Sequence, residues 1–143
     1  MSTPALSTAL LTDEDLAFLA RPLYGFLTVA GAAEPPQPRP VWFETGADGA
    51  IHLSTMRESP KLRRLGRGSR ASLVVTAPVG ERERWVAVAA RATVHEDGVD
   101  ELVTRLAGRY WDLDDRADDL TAMLAEDNVR VQLHPEKVWR FAF

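Results

Sequence analysis

The residues of this chain whose types could do chemistry gather in one stretch. The alternating run Ile51-His-Leu-Ser-Thr-Met56 ends with Ser54 and Thr55 near its close. Ser59, Pro60 and Lys61 follow at once, with Arg63, Arg64 and Arg67 behind them. Hydroxyls at a strand end, beside cations and the free N–H groups of a helix start, make a corner suited to an anion, above all a phosphate. The same residues also read as strand-end hydroxyls followed by a solvated basic helix, and spacing alone leaves both readings open. No G-x-G-x-x-G or G-x-x-x-x-G-K frame is present to fix a phosphate more firmly.

Other candidates are weaker. Arg39 precedes Val41-Trp42-Phe43 and is either a second cation near the same anion or a surface arginine at a strand end. Trp42, Trp85, Trp111 and Trp139 could wall a ring-binding pocket, or fill a core or a subunit interface. Trp139, near Phe141 and Phe143, has the character of an interface or pocket-rim residue. His52, His95 and His134 have no histidine partner at metal-ligand spacing, so no metal site is expected. The acidic run Asp112, Asp114, Asp115, Asp118, Asp119 lacks the glycine and terminal glutamate of a calcium loop and reads as a solvated helix start. No G-x-S-x-G nucleophile motif occurs, and no catalytic residue is assigned.

These residues need elements to position them. Thr12 can cap a helix whose first turn is Asp13-Glu-Asp15, with Leu16, Phe18 and Leu19 as its buried stripe. Strands are expected at 23–30, 39–45, 50–55, 70–77 and 85–95. Gly46-Ala-Asp-Gly49 is the turn of a hairpin. A short helix at 59–65 has Ser59 as its cap and Pro60 at its first position. Helices are expected at 100–111 and 115–126. A closing pair of strands, 128–133 and 137–143, is expected around a turn at His134-Pro-Glu136. Short antiparallel strands with inserted helices point to a small barrel, not a parallel doubly wound sheet.

The length of 143 residues is that of one domain, taken as 1–143 with residues 1–11 as a flexible lead-in. A net charge of -4 argues against a general nucleic-acid binder, so the basic run is a local feature. The absence of cysteine excludes disulfides, thiolate metal sites and cysteine nucleophiles. No apolar run is long enough to span a bilayer, and the N-terminus lacks signal-peptide features, so a cytoplasmic, non-membrane protein is expected.

Four segments carry a resemblance to a known family. They are LTDEDLAFLARPLYGFLTV, PQPRPVWFETGADGAIHLST, STMRESPKLRRLGRGSRASLVV and RWVAVAARATV, in that order. Together they resemble the pyridoxamine 5'-phosphate oxidase-like family, the flavin-binding split barrels. The resemblance implies a mostly β fold, a six-stranded Greek-key antiparallel split barrel. It further implies a homodimer with cofactor sites at its interface. Residues 39–42 match the strand that runs along the flavin ring and ribityl chain. Ser54 and Thr55 match a hydroxyl pair near the phosphate or ribityl chain, and Lys61 matches the phosphate-binding lysine. The candidate cofactor set is Arg39, Pro40, Val41, Trp42, Phe43, Ser54, Thr55, Met56, Arg57, Ser59, Pro60 and Lys61.

The chain departs from the pattern at four places, one of them Ala90 where the family's strand has the glycine of Gly-x-Ala. Pro60 stands where many FMN-binding members have a basic residue, and Glu44 where they often have lysine. Arg57 or Arg63 is the expected compensating cation. The C-terminal VQLHPEKVWRFAF lacks the basic motif that holds a vitamin B6 substrate. The chain is also similar to the branch that uses the deazaflavin coenzyme F-420. The expectation is therefore an oxidoreductase using coenzyme F-420 or FMN, with a lean to F-420. It would transfer a hydride to or from a small conjugated or heterocyclic substrate. The alternative is a non-catalytic flavin, haem or tetrapyrrole-binding protein of the same fold.

Overall fold

Alternation of side chains is what builds this molecule. In β1 (Gly25–Val29), β4 (Ile51–Met56) and β5 (Arg70–Thr76) every second residue is buried and the rest face outward. The computed structural model describes residues 10–31, 35–60, 62, 63, 65 and 70–143. Its other elements are α1 (Asp13–Leu19), β2 (Arg39–Val41), β3 (Glu44–Thr45), β6 (Arg84–His95), α2 (Val99–Tyr110), α3 (Ala117–Leu124) and β7 (Asn128–Ala142).

The strands form one antiparallel sheet in the order β2-β1-β5-β6-β7-β4-β3. Its two edges, β2 and β3, are joined in the chain by Trp42 and Phe43 alone. In a flat sheet those edges would stand roughly 29 Å apart, at about 4.8 Å per strand spacing. Three peptide units reach about 11 Å. The sheet must therefore curl on itself, which makes it a barrel split between β2 and β3. Its interior is filled by Leu27, Phe43, Ile51, Leu53, Leu73, Val75, Val86, Val88 and Leu133, each at most 2% exposed. Gly25 lies against this core: a Cβ there would sit 2.7 Å from Leu73 Cδ1, so the strand admits no larger residue without a shift.

Several expectations are corrected. The closing pair of strands is a single strand, β7, paired along its length with β6. Pro135 and Glu136 form a bulge in it, where the register slips opposite Ala89 and Ala90, and a bulge is where a sheet tolerates proline. The expected strand 39–45 breaks at Trp42-Phe43, because its halves pair with opposite sheet edges. The sheet thus has seven strands where six were expected; counting β2 and β3 as one bent strand restores six. α2 keeps its expected length of 12 residues but begins and ends one residue earlier, at Val99 and Tyr110, and α3 is shorter than expected, covering Ala117–Leu124.

Leu11 is not part of a flexible lead-in. It is 3% exposed in the core beside Phe18 and Leu19. Residues 1–9 of that expected lead-in lie outside the described residues. Thr12 caps α1 in a reciprocal box with Asp15. Asp15 is 1% exposed and accepts from Arg140 of β7 at 2.7 Å, so the last strand clamps the first helix. Arg109 of α2 donates to the carbonyls of Leu19, Ala20 and Arg21 at 2.6–2.7 Å. The Leu19 and Ala20 carbonyls are acceptors that the end of α1 leaves unpaired, while the Arg21 carbonyl also accepts from Leu23 N–H at 2.7 Å.

Candidate functional site

The break between β2 and β3 frees Trp42 from the sheet ladder, and its side chain enters an aromatic cluster. Trp42 stacks on Tyr110 with centroids 5.0 Å apart and meets Trp111 edge-on at 4.8 Å. Tyr24 stacks on Tyr110 at 5.8 Å. Tyr110 is held by its hydroxyl, which donates to the Leu23 carbonyl at 2.7 Å and accepts from Phe43 N–H at 3.3 Å. Arg116 lies 4.0 Å over the Trp111 ring.

These rings border a cleft of about 400 Å³ lined by Tyr24, Pro40, Val41, Trp42, Ser54, Leu106, Trp111 and Met123. Pro40, Val41, Trp42 and Ser54 make a strand wall. Leu106, Trp111 and Met123, from the α2–α3 insertion between β6 and β7, make a helical wall. Among the described residues no side chain that lines the cleft is charged. The Tyr24 and Ser54 hydroxyls and the Trp42 and Trp111 indole N–H groups have no hydrogen-bond partner among the described residues. The cleft can therefore take a flat, uncharged ring system and donate hydrogen bonds to its oxygens or nitrogens.

The expected anion corner is arranged differently. Thr55 is 8% exposed and donates to Ser59 Oγ at 3.1 Å. Ser59 Oγ also accepts from Leu62 N–H at 3.2 Å, capping the turn that begins at Pro60. Arg57 is not a spare cation: it pairs with Asp127 at 3.0 Å and Glu96 at 3.2 Å. Arg63 donates to the Glu58 carbonyl, and Arg39 to the Pro38 carbonyl, and both are exposed. Met56 and Pro60 are exposed and Phe43 is fully buried. Glu44 receives a two-pronged pair from Arg105. The Lys61 expectation, like those for Arg64 and Arg67, lies outside the described residues.

The structure thus brings Pro40, Val41, Trp42 and Ser54 of the candidate set into the cleft. It turns Phe43, Thr55 and Ser59 to packing and capping. Tyr24, Leu106 and Met123 were missed; each is an ordinary apolar or aromatic residue until the helices fold back over β4. Trp85 and Trp139 are elsewhere. They lie on the outer sheet face, where Phe26, Val74, Ala87 and Trp139 are cross-strand neighbours in one row and Trp85 stacks on Phe141 at 4.3 Å.

His95 and His134 share one hydroxyl. Thr93 Oγ1 lies 2.8 Å from His95 Nε2 and 3.0 Å from His134 Nε2. Burial, then Arg91 and His95, pushes the His134 imidazole below its usual range, and burial pushes His52 down as well. Among the described residues no three His, Asp or Glu side chains converge as metal ligands. No helix among them is long and apolar enough to cross a membrane.

A curled antiparallel sheet that closes between β2 and β3 is a small split barrel. The family model described as pyridoxamine 5'-phosphate oxidase matches residues 11–141, and the chain belongs to that family. No curated protein matches it in sequence at a significant level. Its fold is similar to that of an F420 reductase, at 21% identity and TM-score 0.69, covering 86% of this chain and 94% of that one. It is also similar to the heme storage protein HutZ from Vibrio cholerae, at 15% identity and TM-score 0.67, covering 92% and 94%. An FAD-binding protein from Mesorhizobium loti matches at 17% identity and TM-score 0.61, covering 91% and 94%. These likenesses establish the split-barrel fold.

Proposed function

We propose that this protein is an oxidoreductase that binds coenzyme F-420, or alternatively FMN, with the ring in the aromatic cleft and the phosphate toward Lys61. The observation that carries this reading is the uncharged cleft itself. Its strand wall is made by Pro40, Val41, Trp42 and Ser54, residues that the family resemblance marks for the cofactor. When bound, such a cofactor supplies a ring that accepts or gives up a hydride. The chain's own part is to hold that ring along the strand wall of Pro40, Val41 and Trp42 and to donate hydrogen bonds to it from Ser54 and the Trp42 indole, which leaves the helical wall facing the substrate. The substrate is a small conjugated or heterocyclic molecule.

Two copies of the chain complete this reading. Phe26, Trp85, Trp139 and Phe141 leave between 38% and 48% of their surface exposed on the outer face of β1, β6 and β7. A contiguous aromatic face of this kind marks a protein interface. A homodimer that covers it fits the cofactor sites expected between subunits.

The test is a calorimetric titration with F-420 and FMN in parallel. Micromolar or tighter binding of F-420, weakened ~10- to 150-fold by Lys61→Ala through loss of a charged hydrogen bond, is the expected result. Binding of neither overturns the reading. A second reading, a non-catalytic haem, flavin or tetrapyrrole carrier, draws on the fold likeness to the heme storage protein. A ligand held tightly but never reduced or reoxidised through any acceptor would favour it.

A further inference from the structure

The two walls of the cleft are built very differently. The strand wall is backed by the barrel core. The helical wall ends in α3, which has no buried residue and packs mainly on α2. At eight residues α3 is too short to hold its shape alone. Its first residue follows Arg116, which gives it no side-chain cap. Its apolar residues Leu120, Met123 and Leu124 are all half-buried. Such residues gain burial only if something fills the space beside them. Met123 is the one of the three that lines the cleft.

We infer that Met123 and the α3 segment are the substrate-selecting wall of this cleft. They close on a planar molecule that carries hydrogen-bond acceptors and no charge. Calling that molecule the substrate rests on the cofactor reading above. The absence of charge follows from the lining. A carboxylate or sulfonate entering here would lose its water and meet no cation among the described lining residues. The acceptors follow from the donors left to the substrate: the Tyr24 hydroxyl and the Trp111 indole N–H have no partner among the described residues. The size limit follows from Met123, a flexible side chain on the least anchored element of the site. Selection by Met123 needs no buried group to move, because α3 has none.

The test uses the full chain, first without cofactor and then with oxidised cofactor added. The probes are 1,4-naphthoquinone, its 2-sulfonate and the larger 9,10-phenanthrenequinone; with no cysteine in the chain, thiol addition cannot confuse the result. The expected result is at least tenfold weaker binding of the sulfonate. Met123→Ala should shift the ratio of affinities toward the three-ring quinone by fivefold or more, and Met123→Trp should shift it the other way. Amide exchange over 117–124 should slow at least fivefold with naphthoquinone present. Equal binding of quinone and sulfonate overturns the inference. So does an affinity ratio indifferent to residue 123, or unchanged exchange over 117–124. Cofactor binding without this discrimination sinks the α3 wall alone. Discrimination without cofactor binding sinks the cofactor reading and leaves the wall standing as a ligand site.

Discussion

Ser54 and Thr55 are neighbours in sequence and opposites in the structure. Thr55 points inward, donates to Ser59 and belongs to a corner where Ser59 caps a turn and Arg57 is engaged by Glu96 and Asp127. Ser54 points outward into a cleft whose hydroxyls and indoles have no partners among the described residues. Period-two alternation separates them, and it separates structure from binding at this point. A polar group committed to its own fold has little to offer a ligand, whereas one left unpaired beside apolar rings binds at little cost in reorganisation.

The largest break in this contrast comes from Trp42. Trp42→Ala removes one ring of the strand wall and both of its aromatic contacts, with Tyr110 and Trp111. Affinity for a neutral ring probe should fall by ~2–3 kcal/mol, the scale of a central aromatic anchor. Calorimetry reads this without relying on the tryptophan signal. An affinity within twofold of wild type would place the ring elsewhere.

Ser59→Ala should do the reverse. It removes a cap and strands the Thr55 hydroxyl, at a combined cost to stability of ~1–2 kcal/mol. Urea unfolding measures this, and affinity for the same neutral probe should not move. A large loss of probe affinity with intact stability would return the corner to the binding site.

How much of this was legible beforehand follows from the same residues. The capping box of α1, the hairpin turn and the alternation of β4 and β5 are local, so spacing alone exposed them. The break at Trp42-Phe43 was not, because it is forced by closure of the sheet between edges far apart in the pairing order. The fusion of the last two strands was hidden for a similar reason: Pro135 reads as a turn until β6 supplies a partner against which it can bulge. The strand wall of the cleft was visible through the resemblance at Pro40–Trp42 and Ser54. The helical wall was not, since Leu106 and Met123 carry no signal until α2 and α3 fold back on the sheet. Whether Thr55 and Arg57 had spare valence depended on Ser59, Glu96 and Asp127, and only the fold sets those pairings.

Ser54→Ala is the finer test beside Thr55. Its hydroxyl has no partner among the described residues, so stability should hold within ~0.5 kcal/mol, as for a surface change. Probe affinity should fall by ~0.5–1.5 kcal/mol, one neutral hydrogen bond. Thr55→Val should give the opposite pattern. If Ser54→Ala destabilises the chain and spares affinity, the two residues have been assigned to the wrong sides of the sheet.

The smallest expected effect is in pH, and it separates the cleft from the histidines of β4 and β7. His134 is held below its ordinary range by burial, then by Arg91 and His95, with Asp48 opposing and His52 adding to the shift. His52 is lowered by burial first, with Glu44 and Asp48 opposing and Arg130 and Arg105 adding. The unfolded chain, with imidazoles near 6.5, therefore binds protons more readily than the folded one. The contribution of these histidines to stability is full above about pH 6.5 and is lost as pH falls through their lower folded values. Because both imidazoles keep some contact with water, the loss between pH 7.5 and 5 should stay below ~1 kcal/mol. Urea unfolding across that range, with His134→Gln and His52→Gln as the flattened references, measures it. Over the same range the affinity for a neutral ring probe should stay level, because no charged side chain among the described residues lines the cleft. An affinity that tracked the histidine titration would join the two surfaces into one site and remove the basis for treating the cleft as neutral.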